Sequence, residues 1–377
     1  MLFYFDPYTS VTGYREQHER YLVGPYKATV ILLVNRYMAK KNIIGMTEDE
    51  LRHFCTEKGF GDFHGTQIFN WIYYKNPQTF SDMTDLPTQL RQKLTTEFYF
   101  GYLQIYKRDV SKKKDAIKYG FLLRDKVKIE AVALFDRNRR ISFCISSQAG
   151  CALGCLYCAT GKIGFLRNLS VQEIISQVLT LKREHGNPHS ILFMGMGEPL
   201  LNYNETLNAL KIFQTIGIGS RKITISTCGI IKRIYDLAFS GINVRLAVSI
   251  GSAIQEKRIM MIPYSKKNSL SQLKKALIFY RRKTGRRVSL EYTLIDGVNH
   301  TREDAIALAE LAKDVRGHVN LIRFNPVKNS GLSSPDTSTV LMFKEMLQKH
   351  GIEVSERYRK GQDISAACGQ LAAERLR

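Results

Sequence analysis

The sequence predicts an α/β fold: a partial barrel of six parallel βα units, preceded by an N-terminal helical domain and a short β linker region. Three observations predict it. From residue 141 onward, six short apolar runs alternate with helical stretches, and strands joined through helices pair in parallel. Residues 46–98 place apolar side chains at helical spacing, with few glycines or prolines inside the helices, the pattern of a small helical domain. Between them, residues 101–135 hold three short strand-like runs. A chain of 377 residues is long enough for a large barrel and a smaller domain.

Residues 1–45 are aromatic and tyrosine-rich, an N-terminal extension of unknown role. The helical domain, 46–100, contains "MTEDELRHFCTEKGF" and "HGTQIFNWIYY", the second stopped by "KNPQ". The β-rich connector, 101–136, contains "GYLQIYKRDV", "AIKYGFLL" and "KIEAVALF". The barrel, 137–377, opens on the strand "ISFCIS". The helix "SVQEIISQVLTLKRE" follows, with Ser170 and Glu173 as a capping box and Val171, Ile174, Ile175, Val178 and Leu179 on one face. "SILFMGM", "KITIST", "VRLAVSI", "RVSLEYTLI" and "HVNLIRF" are the other strands; "LSQLKKALIFYRRK" and "REDAIALAELAKDV" are helices between them.

With 44% hydrophobic residues and 9 prolines, the composition is that of a folded chain. No segment approaches the roughly 20 apolar residues that cross a bilayer. The start "MLFYFDPYTS" lacks the basic region and cleavage site of a signal peptide, so a cytoplasmic location without membrane attachment is expected. Seven cysteines in such a chain point to metal or catalysis before structural disulfides. The formal charge of +22 and pI near 9.7 point to a polyanionic partner, chiefly nucleic acid. Basic residues cluster at Lys112–Lys114, Arg137–Arg140 and Arg281–Arg287, a spread that suits a broad phosphate-binding face. A generally basic surface is the plainer alternative.

The stretch "GCALGCLYCATG", residues 150–161, places Cys151, Cys155 and Cys158 on one loop after a strand. Three thiolates can ligate three corners of an iron–sulfur cube, leaving one iron without a protein ligand. Zinc would want a fourth ligand. His185 and His189 lie in "HGNPH", but a proline interrupts them. A zinc site, a disulfide pair and simple thiols stay open on spacing alone. The second barrel strand ends in "MGMGEPLLN". Glycine there allows close approach to backbone, and a carboxylate can accept from an amine, so Gly197 and Glu198 are placed to hold an amino group. An ordinary strand-to-helix turn is the alternative.

The C-x3-C-x2-C spacing, with Tyr157 before the last cysteine, resembles the radical S-adenosylmethionine superfamily. "CISSQAGCALGCLYCATGKIGFLRNLSVQEI", "FMGMGEPLLN", "YTLIDGVN" and "DISAACGQL" together resemble the RlmN/Cfr family of RNA adenine methyltransferases, over about residues 46 to 377. The resemblance implies a radical SAM barrel and a [4Fe-4S] cluster on Cys151, Cys155 and Cys158. Its open iron would bind the amino and carboxylate groups of S-adenosylmethionine, used twice per turnover. One molecule methylates a cysteine matching Cys368. The second is cleaved to a 5′-deoxyadenosyl radical, which takes hydrogen from that methyl group. The carbon radical adds to adenine, a base removes the ring proton, and Cys144 attacks Cys368 to release product and leave a disulfide. Such exchange needs a thiolate attacker. A buried strand cysteine is the plain alternative for Cys144.

Glu130 in "IEAVAL" matches the family's general base, with an interval to Cys144 one residue longer here. Ser226 in "ISTCG" and Asn325 in "RFNPV" match contacts to S-adenosylmethionine. Where the family has Ser-Leu-His after its fourth barrel strand, this chain has Ser249, Ile250 and Gly251. Backbone contacts from these three are expected to survive the loss of the imidazole, with weaker cosubstrate binding. Cys228 and Cys55 read as core thiols. The resemblance implies methylation of adenine C2, at adenine 2503 of 23S ribosomal RNA and adenine 37 of transfer RNA. The helical domain would serve as an accessory RNA-binding domain, beside an electron donor such as flavodoxin. The enzyme is expected to be a monomer. Pro199 favours the RlmN branch over Cfr, which methylates C8. An inactive iron–sulfur RNA-binding paralogue is the other alternative.

Overall fold

The computed structural model describes residues 40–372, so residues 1–39 of the N-terminal extension lie outside the described residues. The helical domain is bracketed by two short strands, β1 (Lys41–Asn42) and β2 (Phe98–Tyr99), paired in parallel. Between them lie α1 (Glu48–Glu57), α2 (Phe63–Asn70) and α3 (Thr88–Glu97). Thr47 starts α1 with a reciprocal capping box to Glu50, which satisfies two otherwise unpaired amide donors. A π-helical turn, Trp71–Lys75, continues α2 and ends at Asn76, whose left-handed backbone (φ 55°) stops the helix. The spaced apolar residues Leu51, Phe54, Ile68, Ile72, Leu90 and Leu94 form its core.

One ten-stranded sheet carries the rest of the chain. Three antiparallel strands, β3 (Gln104–Val110), β4 (Ala116–Leu122) and β5 (Lys128–Phe135), lead to β6 (Ile141–Cys144), itself antiparallel to β5. The three strands between residues 101 and 136 extend the barrel sheet at its edge. After β6 come a two-stranded hairpin, β7 (Gln148–Gly150) and β8 (Phe165–Asn168), and the short helix α4 (Ala159–Ile163) between its strands. Six crossovers then build the parallel part: α5 (Val171–His185), β9 (Ser190–Phe193), α6 (Tyr203–Thr215), β10 (Ile223–Thr227), α7 (Ile231–Phe239), β11 (Arg245–Ser249), α8 (Gln255–Met261), α9 (Leu270–Thr284), β12 (Val288–Leu294), α10 (Arg302–Val315), β13 (His318–Arg323), α11 (Thr337–Lys349) and β14 (Val354–Glu356). The order β14-β13-β12-β11-β10-β9-β6 is parallel throughout.

The six expected strands all form, each within its apolar run, and β14 adds a short edge strand. Burial explains the apolar runs: Leu246, Ala247 and Val248 on β11 are all buried, because a parallel sheet is covered on both faces. Buried Leu and Ile side chains each contribute about 1.5–3 kcal/mol. The helical domain docks on α5. Asn76 Nδ2 donates to the Leu179 carbonyl at 2.9 Å and Lys182 Nζ donates to the Tyr73 carbonyl at 2.8 Å; just past the domain, the Arg183 guanidinium stacks 3.5 Å over Tyr102. Among the described residues, no helix is long and apolar enough to cross a membrane.

The strand directions also place the basic clusters. Lys112–Lys114 lie in the β3–β4 turn and Arg137–Arg140 in the β5–β6 turn, at the same end because Ala116 pairs with Leu134. Arg281–Arg287 end α9 and precede β12. All three thus lie toward the N-terminal ends of the parallel strands. The loop carrying Cys151, Cys155 and Cys158 follows the opposite end of β6.

Candidate active site

The cysteine loop follows β6 and is framed by the β7–β8 hairpin. Cys151 N–H donates to the Gly164 carbonyl at 3.0 Å, closing the loop, and Cys158 N–H donates to the Cys155 carbonyl at 3.1 Å. Two distant segments brace it. Leu156 N–H donates to the Met261 carbonyl at 2.9 Å, and Ala159 N–H to the Gly369 carbonyl at 2.7 Å. Thr160 Oγ1 donates to the Leu371 carbonyl at 2.6 Å. The C-terminal segment carrying Cys368 is therefore tied to the loop carrying the other thiols.

Cys151, Cys155 and Cys158 line an open cavity of about 920 Å³ that also exposes Gly197, Glu198 and Ser226. Among the described residues, no group of three His, Cys, Asp or Glu side chains is set to hold a metal ion. Cysteine thiolates are the usual ligands of iron–sulfur clusters, in which each ligand takes its own iron. His185, the last residue of α5, is engaged elsewhere: its Nε2 lies 2.7 Å from Tyr119 Oη on β4, and it does not line the cavity. Two buried polar atoms in the cavity walls, Tyr157 Oη and Asn325 Oδ1, have no hydrogen-bond partner, and buried groups in that condition call for a ligand. The residues therefore fit a cluster and a polar cosubstrate.

Burial sets the electrostatics. It pushes the Cys151 thiol up to about 12 and raises that of Cys158. It also pushes the Glu198 carboxyl up to about 7, against N–H bonds from Cys228 (2.8 Å) and Leu200 (3.0 Å) that favour the anion. Gly197 holds φ +94°, and a Cβ there would lie 2.8 Å from the Gln148 backbone nitrogen. Only glycine fits this turn, which presents Glu198 to the cavity.

Ser226, Ser249 and Asn325 also line this cavity. Ile250 and Gly251 do not. Arg258, almost wholly buried, donates to the carbonyls of Ser249 (3.0 Å), Ile250 and Cys228 (2.6 Å). Asn299 Nδ2 takes the Gly251 carbonyl at 2.7 Å, and Ile250 N–H donates to the Glu291 carbonyl at 3.0 Å. The backbone groups expected to face the cosubstrate at 250 and 251 are mostly occupied from within. Gly251 has φ +67°, and a Cβ would stand 3.2 Å from Ile262 Cδ1. Gly251→His is expected to lower the unfolding free energy by about 1–3 kcal/mol, read by denaturant melts. A variant of native stability would show that the backbone here is not constrained.

A second cavity, of about 940 Å³, adjoins the first and is lined by Cys144, Met194, Arg357, Arg359, Lys360 and Cys368. Cys368 lines both cavities. Its thiol is exposed, while its carbonyl accepts from Asn325 Nδ2 at 3.1 Å. Cys144, at the end of β6, is buried. Burial first, and Cys368 second, push its thiol up to about 12, while the Arg357 cation opposes them. Chiefly Cys368, and then Glu291 and Cys144, favour the charge on Arg357. Arg357 Nη1 stands 3.7 Å from Glu291 Oε2 and 3.2 Å from Met194 Sδ.

Glu130 lies on β5, buried, and is not among the residues lining either cavity. Its carboxylate is 3.3 Å from Lys118 Nζ and accepts from Ala372 N–H at 2.9 Å. It thus touches the Cys368 segment four residues after the cysteine. Sequence reasoning missed Arg357, Arg258 and Lys118, and it read Cys228 as a core thiol. The signal for Arg357 was present: "ERYRKG" is the basic run eleven residues before Cys368. Nothing local marks Arg258. Cys55, by contrast, is fully buried in the helical domain, as expected of a core thiol.

Comparison with known proteins agrees with this geometry. Residues 145–312 match the Radical SAM superfamily, and residues 41–99 match the Ribosomal RNA large subunit methyltransferase N-terminal domain. A protein of Thermotoga neapolitana described as "Probable dual-specificity RNA methyltransferase RlmN" is 42% identical over 89% of this chain and 98% of its own length. A protein of Clostridioides difficile with the same description is 41% identical over 89% of this chain and 98% of its own. The crystal structure of a radical SAM methyltransferase from Sphaerobacter thermophilus superposes with a TM-score of 0.84, at 36% identity, covering 88% of this chain and 99% of that one. The barrel, the helical domain and the cysteine-lined cavity are thus those of a radical SAM RNA methyltransferase, and the chain belongs to the RlmN family.

Proposed function

We propose that this protein methylates C2 of adenine in RNA, at adenine 2503 of 23S ribosomal RNA and adenine 37 of transfer RNA, through a methylated Cys368 and a covalent protein–RNA intermediate. The observation that carries this is the position of Cys368 on the shared wall of two cavities, one holding the three loop thiols and Glu198, the other holding Cys144. A sulfur there can meet a cosubstrate on one side and a base on the other.

Cys151, Cys155 and Cys158 would hold the [4Fe-4S] cluster, with Glu198, Ser226, Ser249 and Asn325 around S-adenosylmethionine. When bound, the pair supplies a one-electron cleavage able to remove hydrogen from a sulfur-bound methyl group, fed by a donor such as flavodoxin. The chain does the rest. Cys368, exposed, accepts a methyl group at sulfur, so two molecules of S-adenosylmethionine serve each turnover. Arg357, Arg359 and Lys360 give the second cavity a cationic lining for a nucleotide pulled from its stack. Glu130 takes the ring proton. Because Ala372 N–H and Lys118 hold its carboxylate, movement of the 368–372 segment is needed to free it. The Cys144 thiolate then attacks the Cys368 sulfur: a disulfide forms as the sulfur–carbon bond breaks, and the carbon left with the electron pair takes up a proton to become the methyl group of the released RNA.

Cys144 sets the pH dependence. With its thiol pushed up to about 12, the neutral form dominates near pH 7. Each unit of rising pH multiplies the thiolate by about ten. Decay of the protein–RNA adduct is therefore expected to accelerate from pH 7 to 9, followed by quenching and gel separation. A flat profile would mean that thiolate formation does not limit release.

The reading is tested by loading the cluster anaerobically and adding reductant, labelled S-adenosylmethionine and a 23S RNA fragment, then identifying the nucleosides. Labelled 2-methyladenosine is expected. Labelled 8-methyladenosine would instead indicate the C8 reaction, and no labelled adenosine from a cluster-loaded chain would indicate an inactive RNA-binding protein.

A further inference from the structure

Cys228 follows β10 at the wall of the first cavity, and none of the steps above uses it. Its Sγ lies 3.6 Å from Cys155 Sγ, a normal distance for a hydrogen bond between sulfurs. Its backbone is held on both sides. The N–H donates to Glu198 Oε2 at 2.8 Å, and the carbonyl accepts from the buried Arg258 guanidinium at 2.6 Å. The next residue is pinned as well, with Gly229 N–H donating to Thr227 Oγ1 at 3.0 Å. The thiol is thus fixed beside Cys155 by its own main chain.

Cys155 as a cluster ligand is a thiolate and has no proton to give. In that state the pair has one possible donor. We propose that the Cys228 thiol donates an S–H···S hydrogen bond to the Cys155 sulfur and raises the reduction potential of the cluster that Cys155 holds. Hydrogen bonds to ligand sulfur draw off electron density and favour the more negative, reduced state. A higher potential eases the one-electron delivery on which the radical step depends. Cys228 is therefore a positioning residue acting through Cys155, and a separation of 3.6 Å leaves no room for a separate cube corner beside it.

This inference rests on the reading that Cys151, Cys155 and Cys158 hold the cluster, and the two can fail separately. The test loads the full-length chain, Cys228→Ala and Cys228→Ser with iron and sulfide, without S-adenosylmethionine. Iron content is measured first, then the midpoint potential by redox titration followed by electron paramagnetic resonance. All three are expected to load equally. The alanine variant should titrate at a more negative potential, and the serine variant, which keeps an O–H donor, should lie between alanine and wild type. A loaded alanine variant with an unchanged or more positive potential overturns the proposal. Should alanine fail to load, serine decides: a potential at or above the wild-type value also overturns it. A wild-type chain that takes up no cluster overturns the ligand reading itself, and this proposal with it.

Discussion

Cys144→Ala is expected to stop the reaction after a single event and leave the RNA covalently attached to Cys368. Cys144, the proposed resolving thiol, lines the same cavity as Cys368, and among the described residues no other cysteine lines that cavity. Without it the thioether to adenine has no internal nucleophile, and a covalent intermediate that cannot be resolved accumulates. The substitution removes one buried sulfur from the end of β6, a change of about 1 kcal/mol or less in a strand otherwise intact. The fold and the earlier steps therefore persist. The expected result is a protein band shifted by the RNA mass and sensitive to nuclease, with free methylated RNA lost. Multiple turnovers by the variant would remove Cys144 from the mechanism. Methylated Cys368 should still be found in the variant by peptide mass, since Cys368 is exposed and the proposed order methylates it before RNA enters.

Arg258→Met should be the most destabilising single change near the site. The guanidinium is 1% exposed and serves the carbonyls of Ser249, Ile250 and Cys228. Methionine fills similar volume but leaves one buried and two partly buried carbonyls without this donor, at about 1–3 kcal/mol for a fully buried one and less for the others. Removing a buried charge relieves part of its desolvation penalty. The net loss is expected to be about 3 kcal/mol, read by denaturant unfolding of the cluster-free chain. S-adenosylmethionine binding should weaken as well, because Ser249 and the Cys228 amide at Glu198 lose their common anchor. A variant within about 0.5 kcal/mol of wild type would show that solvent or relaxation replaces the guanidinium.

Much of the fold follows from local pattern. The apolar runs of β6 and β9–β13, the capping boxes at Thr47, Ser170, Ser269 and Thr301, and the helical spacing of α5 are short-range features. Their physics acts over one or two turns or strand alternations, so they are visible in sequence. The hairpin β7–β8 escaped notice because its strands have three and four residues and flank the cysteine loop without an apolar alternation. Strand β14, with three partly exposed residues, lacks the signal for the same reason.

The basic clusters show the limit more sharply. Lys112–Lys114, Arg137–Arg140 and Arg281–Arg287 are conspicuous along the chain, yet strand direction puts them toward the end opposite the cysteine loop. Arg357, Arg359 and Lys360, a lesser run, line the second cavity. By itself, the sequence determined the alternation of strands and helices, the three-thiol spacing after β6 and the separate cysteine near the terminus. Those depend on residue type and on distances of a few residues. Tertiary structure alone decided that Cys368 would line two cavities, that Arg258 would occupy the carbonyls of Ser249 and Ile250, and that Cys228 would stand beside Cys155. Each of these joins segments 8 to 73 residues apart or more, and such meetings are fixed by parallel register and crossover path, which no local pattern encodes.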